Sequence, residues 1–163
     1  MAYSIVSQIN PSIFRGYDIR GVADKDLNED VYYTLGRAYA SYLQERRIAD
    51  CTVGHDNRLT SEAYTTAFIQ GLNDGGVNAY DLGLSLSQIV YFSSYEMKTK
   101  GSVMITASHN PKEYNGYKAY WNDGAQVVPP GAHRQLTSRT AARRGAGLPH
   151  PPGGLPHRAR PSR

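Results

Sequence analysis

The sequence predicts an α/β domain, on three observations. Helix-spaced and strand-like apolar segments alternate from Asn28 to Val128, the run Ser102 to Ala107 is almost wholly apolar at strand length, and turn-forming residues stand between the segments. In order along the chain, Val31, Leu35, Ala38, Tyr39, Tyr42 and Leu43 keep one apolar face at helical spacing from Asn28. Glu29 and Asp30 suit the first turn of that helix, and Arg46 and Arg47 its last. A short strand follows over Cys51 to Gly54. A second helix opens near Thr60, with Tyr64, Ala67, Phe68 and Leu72 on one face, and Gly75 with Gly76 stops it. Val77 to Leu82 reads as a strand, and Ser87 to Tyr95 as a short helix. The apolar Ser102 to Ala107 run suits a strand covered on both faces. Tyr117 to Trp121, the turn at Asn122, Asp123 and Gly124, and Ala125 to Val128 form a hairpin pattern.

The chain has 163 residues and a formal net charge of +4, unevenly distributed. Residues 1–130 hold 11 basic and 14 acidic residues, whereas residues 131–163 hold seven Arg and no acid. The basic excess therefore belongs to the carboxyl-terminal segment and not to a DNA-binding face of the body. With 5 Pro, 5 Gly and only Leu136, Leu148 and Leu155 as larger aliphatics, residues 131–163 cannot bury enough to offset their ordering entropy and are expected to be disordered. The composition changes abruptly after Pro130, and two origins fit it, a basic arm for anionic partners and an out-of-frame reading of a GC-rich gene; the second is favoured, because the body of alternating elements stops without a closing helix. Cys51 is the single cysteine, which excludes an internal disulfide and a Cys-rich zinc site. No apolar run approaches the roughly 18 residues of a membrane span, and the amino terminus lacks signal-peptide order, so a cytoplasmic location is expected.

The chemistry concentrates in Thr106, Ala107, Ser108, His109, Asn110, Pro111, Lys112, Glu113, Tyr114, Asn115, Gly116, Tyr117 and Lys118. Ser108 stands just past the end of the buried strand, where open α/β sheets place a ligand crevice. Asn110 with Pro111, and Asn115 with Gly116, read as turns that bring Lys118 back toward Ser108. No G-x-S-x-G elbow surrounds Ser108, and His109, its immediate neighbour, is poorly placed as its base, so a hydrolytic triad is disfavoured. The 13 tyrosines lie mostly on helical faces or near the hairpin and read as core and rim.

This run resembles the phosphoserine signature of the α-D-phosphohexomutases, the family of phosphomannomutases and phosphoglucomutases. Phe14, Arg15, Gly16, Tyr17, Asp18, Ile19, Arg20 and Gly21 are similar to the family's amino-terminal motif, and Leu27 to Asp30, Gly54 to Arg58 and Asp81 to Gly83 agree in order and spacing. The resemblance covers residues 11 to about 130. It implies the family's first domain, a mixed β-sheet flanked by helices, over residues 1–130.

The resemblance also implies a mechanism. Ser108, phosphorylated at rest, passes its phosphoryl group to a hexose 1- or 6-phosphate of mannose or glucose, and regains one from the bisphosphorylated sugar. Glucose 1,6-bisphosphate is the expected activator. His109 and Lys118 match positions beside the phosphoserine, and Arg20 with Tyr17 the amino-terminal part of the same pocket. Lys118 or Arg20 is the candidate general acid or base, although guanidinium hardly deprotonates. Arg15 either contributes to substrate binding or has a structural role, bracing the strand turn or pairing with Asp18. His55, Asp56 and Arg58 read as mostly architectural. Magnesium is implied through the phosphoryl oxygen of Ser108 alone, because no D-G-D-x-D-like stretch occurs in the chain. The family chain is several times longer, so the isolated chain is expected to lack turnover. Two alternatives stay open: a non-catalytic phosphosugar-binding fragment, and a nucleic-acid-associated protein using the basic tail. The expected partners are hexose phosphates, with no specific nucleic acid and no membrane, and the oligomeric state is not fixed.

Overall fold

The computed structural model describes residues 2–121 and 125–126. Nine elements follow a 3-10 turn at Pro11–Ile13. They are β1 (Ile19–Val22), α1 (Glu29–Gln44), β2 (Asp50–His55), α2 (Ser61–Asp74), β3 (Asn78–Leu84), α3 (Ser87–Glu96), β4 (Gly101–Ile105), β5 (Tyr114–Trp121) and β6 (Ala125–Gln126). The sheet runs in the order β1-β5-β4-β2-β3, with β6 paired to β5. β2 lies parallel to β3 and β4, whereas β5 is antiparallel to β4, β1 and β6. The sheet is mixed, as expected.

Alternation along the strands decides what each face buries. Val53, Val103, Ile105, Tyr117 and Ala119 point into the main core under α1 and α2, with Leu35, Leu43, Phe68 and Leu72. Met104 and Tyr120, one residue out of phase, form a smaller cluster with Val90 on the opposite face, under α3. All five residues of β4 are buried, as its unbroken apolar run requires. α1 and α2 cross closely at Gly36, where an added Cβ would lie 2.3 Å from the Phe68 carbonyl oxygen.

The helix boundaries follow capping chemistry. Asn28 accepts the Val31 amide at 2.9 Å and opens α1. Arg46 and Arg47 lie beyond α1 and not in its last turn, because Arg47 takes a left-handed φ of 57°. The amides of Arg47 and Ile48 then return to the carbonyls of Gln44 and Leu43. Arg46 still serves the helix end, donating to the Tyr42 carbonyl at 2.9 Å. α2 closes the same way through Gly76, at φ 82°.

Two expectations need correction. β1 has no counterpart in the sequence reading. Asn115 and Gly116 do not form a turn: both lie inside β5 and pair with Gly21 and Arg20 of β1. Gly116 is required by close approach, since a Cβ there would stand 2.0 Å from the Ile19 carbonyl oxygen. Asn115 is fully buried, and its amide group donates to Thr60 at 2.9 Å and to Ser61 at 3.1 Å. The hairpin partners pair as Tyr120 with Gln126 and Trp121 with Ala125. The turn expected at residues 122–124, the strand end at 127–128 and the tail at 131–163 lie outside the described residues. Among those described, no helix is long and apolar enough to cross a membrane.

Candidate active site

β4 ends at Ile105, and three residues later Ser108 is exposed in the left-handed region, at φ 58°. That conformation is uncommon for a residue with a side chain and costs on the order of 1–2 kcal/mol. The surrounding bonds hold it. The Ser108 amide donates to the Thr106 hydroxyl at 2.9 Å, a turn closed by the residue two places back. The Thr106 hydroxyl in turn donates to Asp56 at 2.7 Å. Asp56 stands just past β2, where its own amide donates to the Ile105 carbonyl at 3.0 Å. Its other carboxylate oxygen accepts the Ser61 hydroxyl at 2.6 Å and the Arg58 amide at 3.2 Å.

Arg58 crosses from the β2 side to the serine loop. Its guanidinium donates to the carbonyls of Ser108, Asn110, Pro111 and Tyr114 at 2.6–3.1 Å, and to Asp56 at 3.1 Å. From the other side Arg20, on β1, donates to Asp18 at 2.7 Å and to the side-chain oxygen of Asn110. Two arginines from distant parts of the chain thus fix one loop.

Lys118 occupies β5 opposite Met104 of β4. It is half-buried, and its ammonium makes no hydrogen bond or ion pair with another described residue. Ser108 and Lys118 line one open cleft of about 1180 Å³, together with Asp56, Arg58, Thr106 and Lys112. Both cations and acids border this space, and a phosphorylated serine there would gain from the positive groups.

The structure brings Ser108 and Lys118 to one wall, and anchors Arg20 to the loop that carries Ser108. His109 is exposed beside Ser108 and is not among the residues that line the cleft. Tyr17, 52% exposed, and Arg15, also exposed, stand on the segment before β1, outside that lining. The expected pairing of Arg15 with Asp18 is replaced: Asp18 pairs with Arg20, and Arg15 meets Asp18 only through its backbone amide, at 2.9 Å. Asp18 lies in the bend just before β1 and Arg20 is the second residue of that strand, close enough in the chain for its guanidinium to reach the carboxylate. Ser61 was not singled out from the sequence, Thr106 entered only as part of the serine run, and Asn115 was read as a turn former and not as a support of the loop. Only Thr106 had a local signal, a hydroxyl two residues before the exposed serine. Among the described residues no group of three or more His, Cys, Asp or Glu side chains comes together as a metal site. The four acceptor positions of Asp56 are already filled by Arg58, Ser61 and Thr106, so this carboxylate does not fit magnesium ligation.

A family model described as phosphoglucomutase/phosphomannomutase, alpha/beta/alpha domain I, matches residues 11–144, running past the composition change at Pro130. A phosphomannomutase of Salmonella montevideo is 44% identical over 119 residues, which are 73% of this chain and 25% of that protein. A phosphomannomutase of Klebsiella pneumoniae is 45% identical over 105 residues, 64% of this chain and 65% of that protein. The crystal structure of a phosphoglucomutase/phosphomannomutase family protein from Burkholderia thailandensis superposes with a TM-score of 0.77 at 31% identity, covering 84% of this chain and 31% of that one. The chain thus spans about a quarter of the length of the Salmonella relative. With a sheet of the same architecture and a serine loop at the carboxyl end of its buried central strand, the chain belongs to the phosphoglucomutase/phosphomannomutase family, of which it carries the first domain.

Proposed function

We propose that this domain presents Ser108 as the phosphoryl carrier of a hexose-phosphate mutase. The observation that carries this reading is the exposed, left-handed Ser108 just past the end of β4, held by Thr106 and Arg58 in a cleft that the half-buried Lys118 also lines. Strain of this kind persists only where neighbouring contacts impose it, and it keeps Oγ clear of the sheet.

In this reading the bond from phosphorus to the Ser108 oxygen breaks as a free hydroxyl of a hexose monophosphate forms a new one. The hydroxyl proton passes to a base, for which the Lys118 amine is better suited than Arg20, and the departing Ser108 oxygen takes up a proton to become the free hydroxyl. Arg20 donates to Asp18 and Asn110 and guanidinium stays charged, so its part is to place the loop. The second transfer reverses these roles, and the other phosphate of the bisphosphorylated sugar returns to Ser108. Mannose and glucose phosphates are the substrates that the relatives' names support. The described side chains gather no carboxylate or imidazole cluster that would hold magnesium. Turnover also needs phosphate positioning and charge neutralisation that this domain supplies only in part, so the isolated chain is taken to carry phosphate without completing the cycle.

The test is incubation of the chain with glucose 1,6-bisphosphate, followed by peptide mass spectrometry. Phosphate on Ser108, absent from the Ser108→Ala variant, is the expected result. Label on another serine with Ser108 clean would overturn the reading.

A further inference from the structure

Arg58 lines the cleft, and a cation there invites the reading that it binds a substrate phosphate. The hydrogen-bond inventory argues otherwise. A guanidinium has five N–H donors and no acceptor. The Nε–H of Arg58 goes to Asp56 at 3.1 Å. Its Nη1 donates to the carbonyls of Pro111 at 2.6 Å and Tyr114 at 3.0 Å. Its Nη2 donates to those of Ser108 at 3.1 Å and Asn110 at 2.7 Å. All five are engaged, and every acceptor but Asp56 is a backbone oxygen of the serine loop or of Tyr114, the first residue of β5. Asp56 is equally committed: its two oxygens take two bonds from Arg58, one from Ser61 and one from Thr106.

We propose that Arg58 is the positioning residue of Ser108, one that sets the conformation of the serine loop through its carbonyls and has no donor left for an anionic ligand. The functional part rests on the reading of Ser108 as phosphoryl acceptor; the geometric part does not. The side chain touches the Ser108 carbonyl and leaves Oγ untouched, so it acts on the serine through the backbone. It spans residues 108–114 with one rigid, planar group. Lysine, with three donors on a flexible stem, cannot reproduce a fork that grips four carbonyls and a carboxylate. A chain of bonds extends this support into the core. Asn115 donates to Ser61, which donates to Asp56, and Tyr32 of α1 donates to Asn115 at 3.4 Å. The pose of Ser108 is therefore coupled to buried elements and not to the loop alone.

Three measurements on the 163-residue chain test this. In the wild type, the guanidinium protons of Arg58, followed by nitrogen-15 NMR, are expected to exchange with solvent at least about tenfold more slowly than those of exposed Arg15, the scale of one charged hydrogen bond. Equal rates would overturn the proposal. In Arg58→Lys, amide exchange at Ser108 and Asn110 is expected to accelerate about tenfold or more while Val53 and Val103 keep their protection. Unchanged exchange in the loop would overturn it, and if the variant loses its core the wild-type guanidinium rates decide. With glucose 1,6-bisphosphate as donor, Arg58→Lys is expected to lower the maximal rate of Ser108 labelling about tenfold or more while the half-saturating donor concentration stays within about twofold. A raised half-saturation at unchanged maximal rate would make Arg58 a ligand and overturn the proposal. If wild-type Ser108 takes no label, the phosphoryl-carrier reading fails, and the exchange rates still decide what Arg58 does.

Discussion

The Thr106 hydroxyl donates to the Asp56 carboxylate at 2.7 Å, and so joins the end of β4 to the end of β2 directly beneath the serine loop. The same oxygen accepts the Ser108 amide, so one small side chain satisfies a carboxylate and a backbone donor at once. In Thr106→Val the Ser108 amide loses its acceptor and Asp56 loses one of its four donors at nearly constant volume. A hydrogen bond to a charged group contributes about 1.5–3 kcal/mol, and urea unfolding is expected to show a loss of about that size. Labelling of Ser108 should fall with it.

Ser108 itself should show a conflict between stability and chemistry. At φ 58°, Ala keeps the strain while Gly removes it. Ser108→Gly is therefore expected to be more stable than Ser108→Ala by about 1 kcal/mol. Neither accepts phosphate. Equal denaturant midpoints would show that the loop relaxes away from the left-handed region.

Lys118 has no described partner to lose, so its replacement should separate activity from folding. Lys118→Gln is expected to change stability by less than about 1 kcal/mol. Ser108 labelling should fall about 100-fold or more if the amine exchanges the proton in transfer. Labelling within threefold of wild type would remove Lys118 from that role.

The core sets an alkaline limit. Burial raises the phenol of Tyr64 to about 12 and pushes Tyr32, Tyr39, Tyr117 and Tyr120 up as well. An unfolded tyrosine ionises near pH ~10. The neutral phenols therefore contribute stability that is fully present below that pH and lost as pH rises above it. Tyrosinate absorbance from these residues is expected to appear in one cooperative step, together with loss of the far-ultraviolet circular dichroism. A gradual rise with the fold intact would contradict it.

Much of this architecture was legible locally. The Asn28 cap and the spacing from Val31 to Leu43 delimit α1, and the unbroken apolar run of β4 marks a strand covered on both sides. That run also located Ser108, because a polar loop after a central strand is where α/β sheets open to ligands. What escaped was non-local. β1 is a four-residue strand containing glycine, and its partner is β5, so no periodicity within it reveals the pairing. Asn115 and Gly116 carry turn-forming chemistry, yet one is needed for a buried hydrogen-bond junction and the other for the close approach of Ile19. Asp56 and Arg58 matched a family motif after β2, but the carbonyls that Arg58 grips lie some fifty residues further on.

The pairing of β1 with β5 also orders events during synthesis. Ile19 and Arg20 leave the ribosome long before Tyr117 and Gly116, their partners, exist. β1 adjoins β5 alone at the sheet edge, so it has no strand to join in the interval while β2, β3 and β4 can already associate. Contacts between segments so distant in the chain form slowly, and an unpaired strand in a partial product invites the wrong partner. Nascent chains stalled before β5 has emerged should be cut by protease near Arg20, and those stalled after it should resist.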